Sequence, residues 1–191
     1  MRKFSVRPTL TLKGRKFKGL RGFSGKPFHP PLTDFPIAAY IFGAVFDIIA
    51  SFGRHERWAN DFFRAGTYVF IAGAAVSVLT AITGYWDWLR SSEQGTQARR
   101  TANTHAWTML TVTVLAIINI VLRLNVYHTR THPTIAILVL SIVVAGLVSF
   151  GALFGGSLVY EYGFNVETAG DSPVWHKSET DVMPGEHADS A

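Results

Sequence analysis

The chain contains no cysteine. Disulfides, thiolate-bound zinc and Cys-ligated iron–sulfur clusters are thereby excluded, and cysteine usage gives no clue to a redox compartment. Charge is scarce as well. Asp, Glu, Lys and Arg make up 16% of the residues against 48% hydrophobic, and the first thirty positions hold no acidic residue at all. Those thirty residues also lack an apolar stretch, so no secretory signal peptide is expected and the first apolar segment is its own insertion signal. No nucleophile–base motif of a hydrolase is visible, and independent enzyme activity is not expected.

What the chain does have is four long apolar runs, Phe35–Phe52, Thr67–Tyr85, Ala106–Leu122 and Thr134–Phe154. At about 1.5 Å rise per residue, runs of roughly 17–21 residues match a hydrocarbon core of about 30 Å. Three runs carry no charged residue and the first carries only Asp47. Continuous apolar runs of this length are not the short alternating strands of a membrane barrel. In lipid the remaining way to satisfy every backbone N–H and C=O is the helix. The expected fold is therefore all-α, an integral membrane four-helix bundle with short loops. Residues 1–30 form a basic tail, 31–166 the transmembrane domain, and 167–191 an acidic tail too poor in apolar groups to offset its chain entropy.

Nine of the eighteen Lys and Arg residues lie in that first tail, so the net charge of +5 comes from it alone. A nucleic-acid-binding arm is disfavoured because no recognition motif follows. Contact with anionic headgroups, at about 1 kcal/mol per basic residue near the surface, is the better reading. By the positive-inside rule the tail and the second loop, with Arg90, Arg99 and Arg100, face the cytoplasm. That predicts a multi-pass protein of the inner (plasma) membrane with both termini cytoplasmic.

Polar residues at the ends of the spans are the candidates for chemistry. On the tail side are His29, Asp87 and His105. The helices beginning near His29 and His105 run in the same direction, so the two histidines lie at similar depth. With Asp87 they could bind a divalent metal. As a pair they could hold haem b axially. The plainer reading, which stays open, is that both histidines cap helices and meet headgroups. His29-Pro30-Pro31 fits it, because proline suits a first helical turn. On the opposite side Asp47 lies inside an apolar run, where an ionised carboxylate is expensive unless paired. Arg123 stands at matching depth with Asn119 one turn before it, and a structural ion pair is expected. His55, His128 and His132 lie in loops on that side. The aromatic groups Trp58, Phe62, Phe63, Tyr85, Trp86, Trp88, Trp107 and Tyr127 fall where an interfacial belt belongs.

Short motifs run along the chain: Gly25-Lys26-Pro27-Phe28-His29-Pro30 leading into Phe35-Pro36-Ile37, Phe46-Asp47, Thr83-Gly84-Tyr85-Trp86-Asp87, Arg99-Arg100 before His105-Ala106, and Asn119 with Arg123. Gly155-Gly156-Ser157-Leu158-Val159-Tyr160 and Gly163-Phe164-Asn165-Val166 follow. In these motifs and their order, over about residues 25–166, the chain resembles the membrane proteins grouped as domain of unknown function 2231. The resemblance implies a four-helix membrane domain laid out like a cytochrome b bundle. Some relatives carry a Rieske iron–sulfur domain directly after the equivalent of Val166. This chain departs from them, since without cysteine it holds no such cluster. Two functions from different classes are expected from this. One is a haem- or metal-binding electron-transfer subunit that docks a separate redox partner. The other is a cofactor-free structural or assembly subunit of a larger membrane complex.

Overall fold

The computed structural model describes residues 28–54 and 56–164. Both tails, His55, and the outermost parts of the first and last motifs lie outside the described residues.

Four helices make up the described chain: α1 (His29–Phe52), α2 (Arg57–Ser91), α3 (Gln97–Val126) and α4 (Ile135–Tyr160). All four are long and apolar enough to cross a membrane. They form an antiparallel bundle in which α1 packs on α2 and α4, while α3 packs on the same two neighbours. The helices outrun the apolar runs, most of all at the α2–α3 connection. There α2 continues to Ser91 and α3 begins at Gln97. An apolar run marks the hydrocarbon slab. The helix itself continues past the slab because each further residue adds one backbone hydrogen bond at little nucleation cost. Two expectations change accordingly. Asp87 stands inside α2 rather than after it, and His105 lies two turns inside α3 rather than at its start.

The ends are set by local chemistry. Proline occupies the first turn of α1, where a missing N–H is harmless. Thr96 and Thr134 cap α3 and α4, each accepting from the backbone N–H three residues on. Gly95, with φ of 81°, takes the left-handed turn between α2 and α3.

Lipid is as apolar as leucine, so helix association here relies on close packing and internal polar bonds. Glycine supplies the close packing between α1 and α2. A Cβ on Gly43 would stand 2.5 Å from the Phe70 ring, and one on Gly73 would stand 2.9 Å from the Ala39 Cβ. The apolar centre draws on all four helices, with Tyr40, Phe70, Val112, Ala116, Val144 and Val148 in one buried cluster. Within it the Tyr40 and Ser77 hydroxyls are hydrogen-bonded at 2.9 Å.

Helices α1 and α3 are diagonal neighbours that point the same way. His29 and Asp47 are eighteen residues apart on α1, as are His105 and Arg123 on α3. Eighteen residues are five turns, about 27 Å, so each helix turns the same face inward at both positions. Two diagonal contacts result, one at each end of the bundle, with the apolar cluster between them.

Candidate functional site

At the end where α1 and α3 begin, the His29 and His105 rings meet across the diagonal. Their centroids are 6.5 Å apart and their planes 84° apart. Neither ring caps its own helix. The α1 cap carries no side-chain bond, and the α3 cap is Thr96. Each ring instead reaches the partner helix of its own hairpin. His29 Nδ1 lies 3.2 Å from Thr83 Oγ1 on α2. His105 Nδ1 lies 2.9 Å from the Gly151 carbonyl oxygen on α4. A carbonyl only accepts, so His105 carries its proton on Nδ1 and donates it.

Glycine makes both approaches possible. A Cβ at Gly84 would come within 2.6 Å of His29 Cε1, and one at Gly155 within 3.1 Å of His105 Cε1. Both rings are half-buried.

Asp87 is buried at 4% exposure, one turn beyond Thr83 on α2. Yet among the described residues no three His, Asp or Glu side chains gather as a metal-binding group. The expected three-donor set of His29, Asp87 and His105 therefore does not assemble; the two histidines do. Two nitrogens are too few for a closed tetrahedral zinc site, which takes four ligands. Two histidine nitrogens are the number of protein ligands that a haem iron can take.

The aromatic groups nearby are engaged with the α2–α3 turn. Trp88 Nε1 donates to Asn103 Oδ1 at 2.7 Å, and the Arg99 guanidinium lies 3.9 Å over the Trp88 ring. Trp107 is 72% exposed. Neither residue is turned to a site in the bundle.

The second diagonal contact is the pair expected from sequence, inside a larger network. Arg123 and Asp47 are both fully buried, and Arg123 Nη2 donates to Asp47 Oδ2. Arg123 Nε donates to Asn119 Oδ1, Nη1 to Thr67 Oγ1 at 3.3 Å, and Nη2 also to Ser141 Oγ at 3.1 Å. Asn119 Nδ2 in turn donates to Ser141 Oγ and the Ile137 carbonyl. The Ser141 hydroxyl donates to Asp47 Oδ2. The guanidinium also lies 4.6 Å over the Phe70 ring. All four helices contribute a polar group. Asp47 Oδ1 alone has no hydrogen-bond partner among the described residues. Thr67 and Ser141 were not singled out from sequence. Small hydroxyl residues in apolar runs bond their own helix by default, as Thr67 does to the Phe63 carbonyl. Only the Asp47–Arg123 depth match could have pointed to them.

His128, in the α3–α4 loop, packs edge-on against Tyr127 with centroids 5.1 Å apart. His132 lies 3.4 Å from the Thr131 hydroxyl.

Residues 25–168 match the family model described as predicted membrane protein, domain of unknown function 2231. The chain belongs to that family. The matched stretch spans both diagonal contacts, so the histidine pair and the ion-pair network lie within the shared domain of this family member. No curated protein and no solved structure matches the chain significantly.

Proposed function

We propose that the chain is a membrane electron-transfer subunit in which His29 and His105 would hold the iron of a haem b. The observation that carries this reading is the meeting of the two imidazoles across the bundle axis, 6.5 Å apart, each hydrogen-bonded through Nδ1. Metal-binding histidines commonly bond the protein through one ring nitrogen and leave the other for the metal. The side-chain and backbone partners seen at the two rings, Thr83 and Gly151, both meet Nδ1. A bound haem would supply one reversible electron at the iron. The chain's own part is to hold both rings through Nδ1, shape the end of the bundle with Gly84 and Gly155, and exclude water by the apolar cluster beneath. A separate redox partner would reach this end, which the basic tail sets on the cytoplasmic face of the plasma membrane. The alternative, a cofactor-free assembly subunit, is favoured by one thing: the rings are already packed and bonded and could simply clamp the two hairpins together.

An absorption spectrum of the detergent-purified protein, with metal analysis on the same sample, decides between them. The haem reading expects a Soret band that shifts on reduction, with iron present. A colourless, metal-free protein that also fails to take up added haemin sinks it. Orientation is tested separately with a reporter inserted after Gly95. It should be active only as a cytoplasmic reporter, and activity on the other face would reverse the topology.

A further inference from the structure

We propose that Thr83 is a positioning residue that locks His29 in the tautomer with its proton on Nδ1, leaving the Nε2 lone pair for the iron. The inference rests on the haem reading for its purpose but not for its geometry. A threonine hydroxyl has a single proton. Thr83 Oγ1 lies 3.0 Å from the Leu79 carbonyl and 3.1 Å from the Thr80 carbonyl, and gives that proton to its own helix. Towards His29, 3.2 Å away, the same oxygen can therefore only accept. This wall of α2 therefore calls for an N–H, and Nδ1 is the atom that meets it.

The two ligands thereby reach the same protonation pattern by different means. His105 is locked by the Gly151 backbone carbonyl, which no side-chain substitution removes. His29 depends on a side chain, and so it is the half of the site that a single mutation can unlock. Thr83→Val keeps the β-branched shape but removes the acceptor. Thr83→Ser keeps the hydroxyl. An acceptor on Nδ1–H also raises the basicity of Nε2, which stabilises the oxidised iron.

The test uses the full chain labelled with ¹⁵N-histidine, in detergent micelles and free of haem, at a pH where both rings are neutral. In the parent and in Thr83→Ser, both His29 and His105 should give the ring-nitrogen shifts of the Nδ1–H tautomer. In Thr83→Val, His29 should move towards Nε2–H while the His105 signals stay put, which also shows that the bundle is intact. Haemin titration of the same samples should then find Thr83→Val weaker by about tenfold to a hundredfold, with a more positive midpoint potential, and Thr83→Ser close to the parent. An Nε2–H His29 in the parent, or a tautomer unmoved by Thr83→Val, overturns the role of Thr83, even if haem binds. A parent with the lock in place but no Soret band on adding haemin overturns the haem reading instead.

Discussion

If His29 and His105 hold a haem as proposed, His29→Ala and His105→Ala should each strip it from the purified protein without unfolding the bundle. Loss of a hydrogen bond to a metal-binding histidine already lowers affinity by about 10–100-fold, and loss of the ligand itself removes more. Both rings sit at one end of the bundle, away from the buried cluster of Tyr40, Phe70, Val112, Ala116, Val144 and Val148. Truncating them should leave the helical circular-dichroism signal and detergent-unfolding midpoint near those of the parent. Gly84→Ala gives the same phenotype without touching a ligand, since its methyl would stand 2.6 Å from His29 Cε1 and push the ring aside. Asp87→Asn should keep the Soret band with affinity within about tenfold, because Asp87 completes no three-donor metal set among the described residues. His128→Ala and His132→Ala, in the loop at the far end, should change nothing. The readout is haemin titration followed by a reduced-minus-oxidised spectrum. Retained haem in either ligand variant defeats the two-histidine assignment, and haem lost only in the loop variants moves the site to the other end.

Much of the architecture was legible because a membrane simplifies the code. Hydrocarbon thickness fixes the length of an apolar run, and the ban on unsatisfied backbone groups fixes its conformation. Four charge-poor runs therefore predict four helices with little competition from other folds. Helix ends were less legible. The polar turns Asp87–Ser91 and Gln97–Thr104 stay helical beyond the slab, where hydropathy carries no signal. The ion pair could be read from Asp47 because one carboxylate in an apolar run demands a partner, and depth selects Arg123. Its hydroxyl partners carry no signal of their own, since Ser141 and Thr67 look like any small polar residue in a span and only the depth of the pair points to them. The histidine pair was legible as a shared depth but not as a contact. What turns His29 towards Thr83 and His105 towards Gly151 is helix rotation, and rotation is fixed by packing that no single helix encodes. Asp87 is buried one turn beyond Thr83 on α2, and no three-donor group forms among the described residues.

Removing one charge at the far end should be the most damaging single change in this chain. Arg123 and Asp47 are both at zero exposure, and Arg123 Nη2 donates to Asp47 Oδ2. Asp47→Asn leaves a guanidinium with no counter-charge in a site shut off from water, and Arg123→Met leaves a carboxylate in the same state. Each should destabilise the bundle by about 3–5 kcal/mol, the usual effect of breaking a buried pair from one side. Arg123→Met keeps an unbranched aliphatic stem and gives up only the guanidinium that lies over Phe70, so the loss reports mainly charge. The double variant, Asp47→Asn with Arg123→Met, leaves neither charge behind and should recover most of the loss, as apolar replacements of buried pairs often do. Unfolding in mixed detergent micelles measures all four corners of this double-mutant cycle. A coupling energy of several kcal/mol is expected, because the two side chains share one hydrogen-bond network. Ser141→Ala should fall between parent and single charge variants, since it removes one donor to Asp47 Oδ2 but no charge. The Soret band should be unchanged in all of them, given about five helical turns, roughly 27 Å, between the two sites. Strictly additive losses would mean that the pair does not act as a pair. A spectrum that follows the charge variants would instead mean that the two ends of the bundle are energetically coupled.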